Sequence, residues 1–386
     1  MVNAFAGHCD SQLDTTSYLT RVQRRHFLTK SLLAAGTTAI AGCRPERTVP
    51  ENLAIHTDKK FEWIMVTTWP PGFPILHDAA VLLAKRVASM SAGQLSIKVY
   101  GAGELIPAFE CFEAVSLGTA AISSGASYYW AGKIPSASFF SSLPFGLNAQ
   151  GMNAWLLQGG GLELWREAYA PFNITPFVGG NTGVQMAGWF NRELNDLASL
   201  RGLKMRIPGL GGQVFEAAGG TSMLSPGSEL YTNLERGVID ATEWIGPYHD
   251  YLMGFHEVAK YYYGPGWHEP GTVLEFMVHS PTLAALPANL QAILTTAIAS
   301  VNDWTLQAFE AKNGEYIAKI KAHGTDLRSL PSALIEQLRP IASDVLSAYA
   351  DQDAHSRSVF ANYSAFAKTY GQWSQQSEQA YWKLFD

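Results

Sequence analysis

Phe61-Glu62-Trp63-Ile64-Met65-Val66-Thr67 is β-branched and aromatic and reads as a first strand. Trp69-Pro70-Pro71-Gly72 turns the chain behind it. Residues 75–90 then carry Leu76, Ala79, Ala80, Leu83 and Val87 at helical spacing. Residues 95–100 read as a second strand, Gly101 and Gly103 open a loop, and residues 108–117 read as a second, short helix. Strand, helix, strand, helix in this order predicts parallel strands joined by crossover helices, and so an α/β fold.

Further along, residues 175–180, 185–190, 203–207 and 273–279 read as strands, with short helices at 213–218 and 229–236. The last third changes character. Across 289–323, Leu290, Ile293, Leu294, Ala297, Ile298, Val301, Trp304, Ala308 and Phe309 mark one long amphipathic helix. Two more helices are expected at 332–351 and 356–384, the second studded with Phe, Tyr and Trp.

Upstream, Arg24-Arg25-His26-Phe27-Leu28 follows a polar lead, and a mildly apolar stretch over 31–42 ends in Ile40-Ala41-Gly42-Cys43. Paired arginines, Phe-Leu and a modest apolar segment read as a twin-arginine export signal. Small residues before the cysteine resemble a lipoprotein cleavage site, at which the Cys43 thiol takes the lipid and becomes the mature N-terminus. The alternatives are a short helix with chance arginines or a membrane span, and the stretch is too short and too rich in Thr and Gly for a span. Arg44 stands where an Asp would mark inner-membrane retention. Residues 44–59 are polar and Pro-containing and read as a tether.

The remaining chain is long enough for two globular domains. Removing the signal's four basic residues (Arg21, Arg24, Arg25, Lys30) and two acidic ones (Asp10, Asp14) from 27 Lys+Arg and 33 Asp+Glu leaves a net charge of about −8. No block of Lys and Arg occurs, which argues against nucleic acid as a partner. With Cys9 lost and Cys43 lipidated, only Cys111 is left, so no internal disulfide forms and stability must come from the core.

Enzyme signatures come up short: there is no CxxC, His-Glu-x-x-His, Gly-x-Ser-x-Gly or Walker loop. Gly209-Leu210-Gly211-Gly212 reads as a tight turn into a helix, and His268 beside Glu269 as a structural or solvated pair. Lys204-Met205-Arg206-Ile207-Pro208-Gly209 is more informative. An arginine in a strand-like apolar run is costly unless an anion pairs with it. A planar guanidinium grips a carboxylate with two parallel bonds. A ligand carboxylate and an internal Asp or Glu fit this segment equally well.

Three longer stretches narrow the choice: Asn181-Thr182-Gly183-Val184-Gln185-Met186-Ala187-Gly188-Trp189-Phe190, then Leu203 through Gly209, then Leu234-Glu235-Arg236-Gly237-Val238-Ile239-Asp240-Ala241-Thr242-Glu243-Trp244. Together with Ser142-Leu143-Pro144-Phe145-Gly146, they resemble the extracytoplasmic solute receptors of tripartite ATP-independent periplasmic (TRAP) transporters, from about Phe61 to the C-terminus. Gln185 and Glu243-Trp244 resemble the branch that binds 2-oxo acids and lactate with a metal ion. Many TRAP receptors have Gly after the motif's Asp and no Glu-Trp pair, whereas here Ala241 follows Asp240, which puts sialic acid and simple dicarboxylates in doubt.

The resemblance implies a periplasmic-binding-protein-like α/β receptor with an interdomain cleft, a long domain-spanning helix and a helical C-terminus. Its parts are 1–43 signal, 44–59 tether, 60–182 with 271–311 as domain I, and 183–270 with 312–386 as domain II. It implies that Arg206 pairs with the substrate carboxylate and that Tyr128 or Tyr129 donates a hydroxyl. Asn181 and Gln185 join this substrate set. Gln185, Glu243, the Trp244 carbonyl and Glu269 are implied to hold Na⁺ or Ca²⁺ bridging protein and substrate. Read singly, Glu243 could start a helix, Gln185 could face a sheet, and Glu269 could serve only His268. The implied ligand is a small organic acid such as pyruvate or lactate, and the implied partners are the TRAP membrane permease subunits. A homodimer through the aromatic C-terminal helix is a further expectation. The competing readings are a receptor for another carboxylate such as an aromatic acid, a twin-arginine-exported enzyme, and a structural lipoprotein.

The export reading has a direct check by cell fractionation. Replacing Arg24 and Arg25 with lysines should leave the protein in the cytoplasm, and Cys43→Ala should abolish lipid labelling. Normal export of the first variant, or continued labelling of the second, removes the corresponding assignment.

Overall fold

The computed structural model describes residues 59–385, so the export signal, Cys43 and the tether before Lys59 lie outside the described residues. Eleven strands follow in chain order: β1 Phe61–Thr67, β2 Leu95–Tyr100, β3 Ile122–Gly125, β4 Ile174–Asn181, β5 Gly188–Phe190, β6 Lys204–Arg206, β7 Thr221–Met223, β8 Ala241–Thr242, β9 Tyr261–Gly264, β10 Val273–His279 and β11 Asp326–Ser329. They form two sheets, one ordered β2-β1-β3-β10-β4 and one ordered β11-β9-β5-β8-β6-β7. The first strands pair as the alternation requires, with β1 parallel to β2 and to β3. β10 then enters antiparallel between β3 and β4. The chain thus leaves the first sheet after β4, builds five strands of the second, and returns to the first through β10.

Burial explains the layers. Trp63 and Met65 of β1 face Ala79, Ala80, Leu83 and Val87 of helix Leu76–Met90, together with Leu290, Leu294, Ala297 and Val301 of helix Ala288–His323. That 36-residue helix is about 54 Å long at 1.5 Å per residue. Farther along it, Phe309 and Ile320 enter another core that holds Trp189 of β5 and Tyr262 of β9. One helix therefore buries residues against strands of both sheets. Among the described residues no helix is long and apolar enough to cross a membrane.

Several expectations change in detail. The strand at 185–190 shortens to Gly188–Phe190, because the backbone before it is committed elsewhere. Gln185 N–H donates to the Glu269 carbonyl at 3.2 Å and Met186 N–H to the Ile245 carbonyl at 2.9 Å. Gly188 is required at the junction: its φ is 122°, and a Cβ there would lie 2.5 Å from the Thr242 carbonyl oxygen. The helix at 356–384 breaks at Ser377 into Ala354–Gln376 and Glu378–Trp382. Helices Ala149–Gln158 and Gly161–Tyr169 were not anticipated; Trp155 and Trp165 stack on Phe140 at 6.0 and 5.3 Å.

The C-terminal segment also packs differently from the division drawn from the resemblance, which grouped 312–386 with the second domain. Helix Ser332–Ala350 gives Leu334, Leu338 and Ala342 to the core around β6, but Leu346 and Tyr349 to the core around β4 and β10. Val359 and Tyr363 of the next helix join the latter. Aromatic matching drives this: Phe360 stacks on Phe139 and Tyr363 meets Trp155 edge-on at 4.9 Å.

Glu275 sits fully buried in β10, accepting a hydrogen bond from the Trp130 indole at 2.6 Å. Burial pushes its carboxyl up to about 8, against the pull of the Trp130 hydrogen bond. A raised carboxyl favours the folded state at low pH and loses that contribution as pH rises through the folded value. Glu275→Gln keeps an acceptor for Trp130 and removes the ionisation. In pH-resolved thermal unfolding the variant should decline less steeply than the parent from about pH 5 to 8, by up to roughly 1.4 kcal/mol per pH unit. Parallel curves would exclude Glu275 as a source of the slope.

Candidate functional site

The site is assembled around the end of β6. Met205 and Arg206 pair in parallel register with Ala241 and Thr242 of β8, so the next residue, Glu243, emerges beside Arg206. Glu243 N–H donates to the Arg206 carbonyl at 3.3 Å, and Arg206 Nη1 pairs directly with Glu243 Oε1. Both side chains are buried. The guanidinium also lies over the Trp244 ring at 5.0 Å, and its Nε donates to the Ser225 carbonyl at 3.4 Å. Arg206 therefore has an internal carboxylate partner, one of the two possibilities open from its segment.

Two loops close on this pair. Gln185 Nε2 donates to Glu269 Oε2 at 2.8 Å, to Thr272 Oγ1 at 3.1 Å and to Thr182 Oγ1 at 3.2 Å. Thr272 Oγ1 donates to the same Glu269 oxygen at 2.5 Å. His268, read from the sequence as a structural neighbour of Glu269, turns its Nε2 to within 3.5 Å of Glu243 Oε2. Glu243, His268 and Glu269 each offer a ligand atom within 4.8 Å of the others. The sequence reading named two of these three. His268 was legible only as a neighbour in the chain, and its contact with Glu243 needs the folded register. Thr272 was missed for the same reason, and Thr182, three residues before Gln185, was passed over within its motif.

Tyr128 and Tyr129 follow β3 in the turn Ser127–Trp130 and line a cavity with Trp69, Gln185, Arg206 and Trp244. Asn181 is elsewhere. Its Oδ1 accepts from Gly183 N–H at 2.9 Å and its Nδ2 donates to the Gly271 carbonyl at 3.3 Å, so it holds the loop that carries Gln185 and does not line the cavity. The cavity measures about 10 Å³, near the smallest space that holds one water. A larger one, about 630 Å³, lies between residues 143–150 and the last helices and shares no residue with this cluster.

Burial dominates the electrostatics. It pushes Glu243 up to about 7 against the pull of Arg206. Glu269 also rises to about 7, through burial and then the Glu243 charge. His268 falls to about 4 by burial, with Glu269 opposing, so its ring is neutral. Burial and the nearby carboxylates raise both tyrosines, which keep their hydroxyl protons to donate. For Arg206, burial works against the charge, but Glu243, Tyr129, Tyr128 and Glu269 outweigh it and hold the guanidinium protonated.

Certain buried polar atoms in this cluster have no hydrogen-bond partner: Gln185 Oε1, Glu243 Oε2, both His268 nitrogens, and Arg206 Nη2. Buried polar atoms left unpaired are expensive and call for an explanation. The set fits a cation on one side, met by the acceptors Gln185, Glu243 and Glu269. It fits an anion on the other, met by the donor Arg206. Oxygen donors suit a hard ion such as Na⁺ or Ca²⁺.

Comparison with known proteins agrees with this chemistry. The profile of the DctP family, bacterial extracellular solute-binding protein family 7, matches residues 65–353. A monocarboxylate 2-oxoacid-binding periplasmic protein of Nostoc sp. is 39% identical over 360 residues, 93% of this chain and 98% of that protein. A TRAP periplasmic solute-binding protein of Colwellia psychrerythraea, solved with calcium and pyruvate, is 39% identical with TM-score 0.82, covering 84% of this chain and 99% of that one. The counterpart from Pseudoalteromonas atlantica, solved with sodium and pyruvate, is 38% identical with TM-score 0.83, covering 85% and 100%. One from Bordetella bronchiseptica, a mixed-occupancy dimer with calcium and picolinate, is 34% identical with TM-score 0.83, covering 85% and 98%.

A cation taken by Glu243 and Glu269 must compete with their protons, which leave near pH 7. Ca²⁺ affinity measured by calorimetry should therefore rise from pH 6 to pH 8 with proton release, and a flat profile would show that these carboxyls are not ligands.

Proposed function

The chain belongs to the DctP family of bacterial extracellular solute-binding proteins, family 7, and from that premise we propose that it is a TRAP receptor capturing a 2-oxo or 2-hydroxy monocarboxylate such as pyruvate or lactate for uptake. The observation that carries the reading is the juxtaposition of a buried, unpaired guanidinium nitrogen on Arg206 with unpaired acceptors on Gln185 and Glu243. A bound Na⁺ or Ca²⁺ supplies a charge that can be shared by the acid's carboxylate and its adjacent oxo or hydroxy oxygen. Arg206 grips the carboxylate, Tyr128 or Tyr129 donates a hydroxyl, and Gln185, Glu243, Glu269 and the Trp244 carbonyl hold the cation. Two site carboxylates, one guanidinium and an incoming carboxylate leave two negative charges, which a divalent ion cancels. Burying that excess uncompensated would be strongly unfavourable.

Capture then closes two lobes, one around each sheet, over the ligand. The closed receptor delivers its ligand to the membrane permease subunits. The protein reaches its compartment by the twin-arginine route and stays tethered through lipid on Cys43. A second substrate reading, an aromatic acid, draws support from the aromatic walls Trp69, Tyr128, Tyr129 and Trp244, and from the picolinate in the Bordetella relative.

The test is titration of pyruvate, lactate and picolinate into chelator-treated, sodium-free protein, with and without Ca²⁺ or Na⁺. Binding should need the cation, and full affinity without it sinks the bridging role. Arg206→Ala should cost roughly 2–5 kcal/mol of acid affinity, and Arg206→Lys should also weaken it, since a point charge cannot make the two-pronged contact.

The dimer is a separate proposal. Tyr363 is buried on its own core, but Trp373, Tyr381 and Trp382 are more than half exposed, and Trp382 borders the 630 Å³ cavity. A partner's C-terminal segment covering these residues would remove an exposed apolar patch. Light scattering of the mature form should give a dimer that reverts to monomer or aggregates when residues after 355 are removed. A monomer at high concentration defeats it.

A further inference from the structure

We infer that Arg206 is an exchangeable counter-ion that holds Glu243 against cation binding until an organic acid draws it away. The inference rests on the binding reading above and adds an order of dependence to it: the acid does not merely accompany the cation but releases its ligand.

The geometry carries it through the individual atoms. Nη1 of Arg206 is committed to Glu243 Oε1, Nε is committed to the Ser225 carbonyl at 3.4 Å, and Nη2 has no partner. A carboxylate gripped by the guanidinium fork needs two adjacent N–H groups. An end-on grip uses Nη1 and Nη2, so the acid competes with Glu243 for the Nη1 donors. A side-on grip uses Nε and Nη2, so Nε must leave Ser225. Only the first exchange frees a Glu243 oxygen. The Trp244 face at 5.0 Å and the Ser225 carbonyl can keep hold of the guanidinium while its outer nitrogens turn to a new partner.

Glu243 is the pivot of the exchange. While Arg206 holds Oε1, the uncommitted oxygen of the carboxylate is Oε2, which faces the His268 ring at 3.5 Å. The guanidinium charge is also in contact with the same carboxylate, in a site with little water to screen it. An acid that pairs with Arg206 relieves both obstacles at once. Charge balance alone would make the two ligands help each other. With the guanidinium removed, cation binding should strengthen while acid binding weakens.

The experiment measures Ca²⁺ affinity by calorimetry on the chelator-treated, sodium-free mature chain, with and without pyruvate. The proteins are the parent, Arg206→Met and Arg206→Lys. Arg206→Met leaves Glu243 buried without a partner and strains the fold. Arg206→Lys keeps a charge but has a single point donor, and serves as the second variant. In the parent, pyruvate should tighten Ca²⁺ by a factor in the range typical of coupled sites, about 5–150-fold. Without pyruvate, Arg206→Met should bind Ca²⁺ at least about fivefold more tightly than the parent and should lose most of the pyruvate effect. Arg206→Lys should fall between the two. Acid-free Ca²⁺ affinity that is equal to the parent's, or weaker, in both variants overturns the exchange, even where the parent still couples acid and cation. Failure of the parent to bind pyruvate overturns the substrate reading instead. In that event tighter acid-free Ca²⁺ binding by the variants still supports the hold of Arg206 on Glu243.

Discussion

The site depends on one buried charge pair. Arg206 and Glu243 lie where water cannot solvate them, and each ion taken from water costs several kcal/mol unless its partner and its remaining hydrogen bonds make good the loss. Here the compensation is incomplete, since Nη2 of one and Oε2 of the other are left without hydrogen bonds. A pair built only for stability would be better satisfied, or replaced by apolar side chains of similar volume. Every other perturbed group in the cluster responds to these charges. Glu269 is raised further by Glu243, both tyrosines keep their protons, and Arg206 stays charged despite burial.

Holding such a pair in register requires rigid support, and the second sheet supplies it. The parallel pairing of β6 with β8 delivers Glu243 next to Arg206 through the backbone alone. Behind it, Asp250 accepts from the Trp189 indole at 3.0 Å and the Tyr262 hydroxyl at 2.8 Å, and these two rings stack across β5 and β9 at 4.1 Å. The other oxygen of Asp250 takes the Ile245 N–H at 3.4 Å, and the Ile245 carbonyl takes the Met186 N–H. One buried carboxylate thus holds the residue after Trp244, whose carbonyl in turn holds the residue after Gln185. The two loops that carry the site are fixed to each other through the sheet, not through the ligand.

The parts of this design that follow local periodicity were legible in the sequence. Helices Leu76–Met90 and Ala288–His323 bury the residues whose spacing announced them, and β1, β2 and β10 match their apolar runs. What escaped depends on partners distant in the chain. β7 and β8 are too short for any period and exist only through their neighbours, β6 for β7 and both β5 and β6 for β8. Ser377 breaks a helix whose composition runs on through it. In the site, Gln185, Arg206, Glu243 and Glu269 could be named from motifs that resemble a family. His268 and Thr272 could not, because their contacts join segments up to 87 residues apart, while Thr182 lies inside a recognised motif, three residues before the Gln185 it meets. Asn181 shows the converse: a residue inside a recognisable motif whose side chain is spent on the loop's own backbone.

The division of labour between the sheets bears on how such a site can work. The charged groups Arg206 and Glu243 hang from the second sheet, while Trp69, Tyr128 and Tyr129 come from turns that follow β1 and β3 of the first. A ligand held by both sets is a bridge between them, so its binding energy is also the energy that favours their approach. A cavity of about 10 Å³ is too small for even a three-carbon acid to enter without that approach being undone. On the proposed closure of two lobes, opening exposes a charge pair with two unsatisfied atoms, and water solvates both while the cleft is open. Closing removes that water and leaves the atoms unpaired unless a ligand with an anionic end and a cation-binding oxygen takes its place. Selectivity in this arrangement comes less from the shape of the walls than from the cost of closing over the wrong charge.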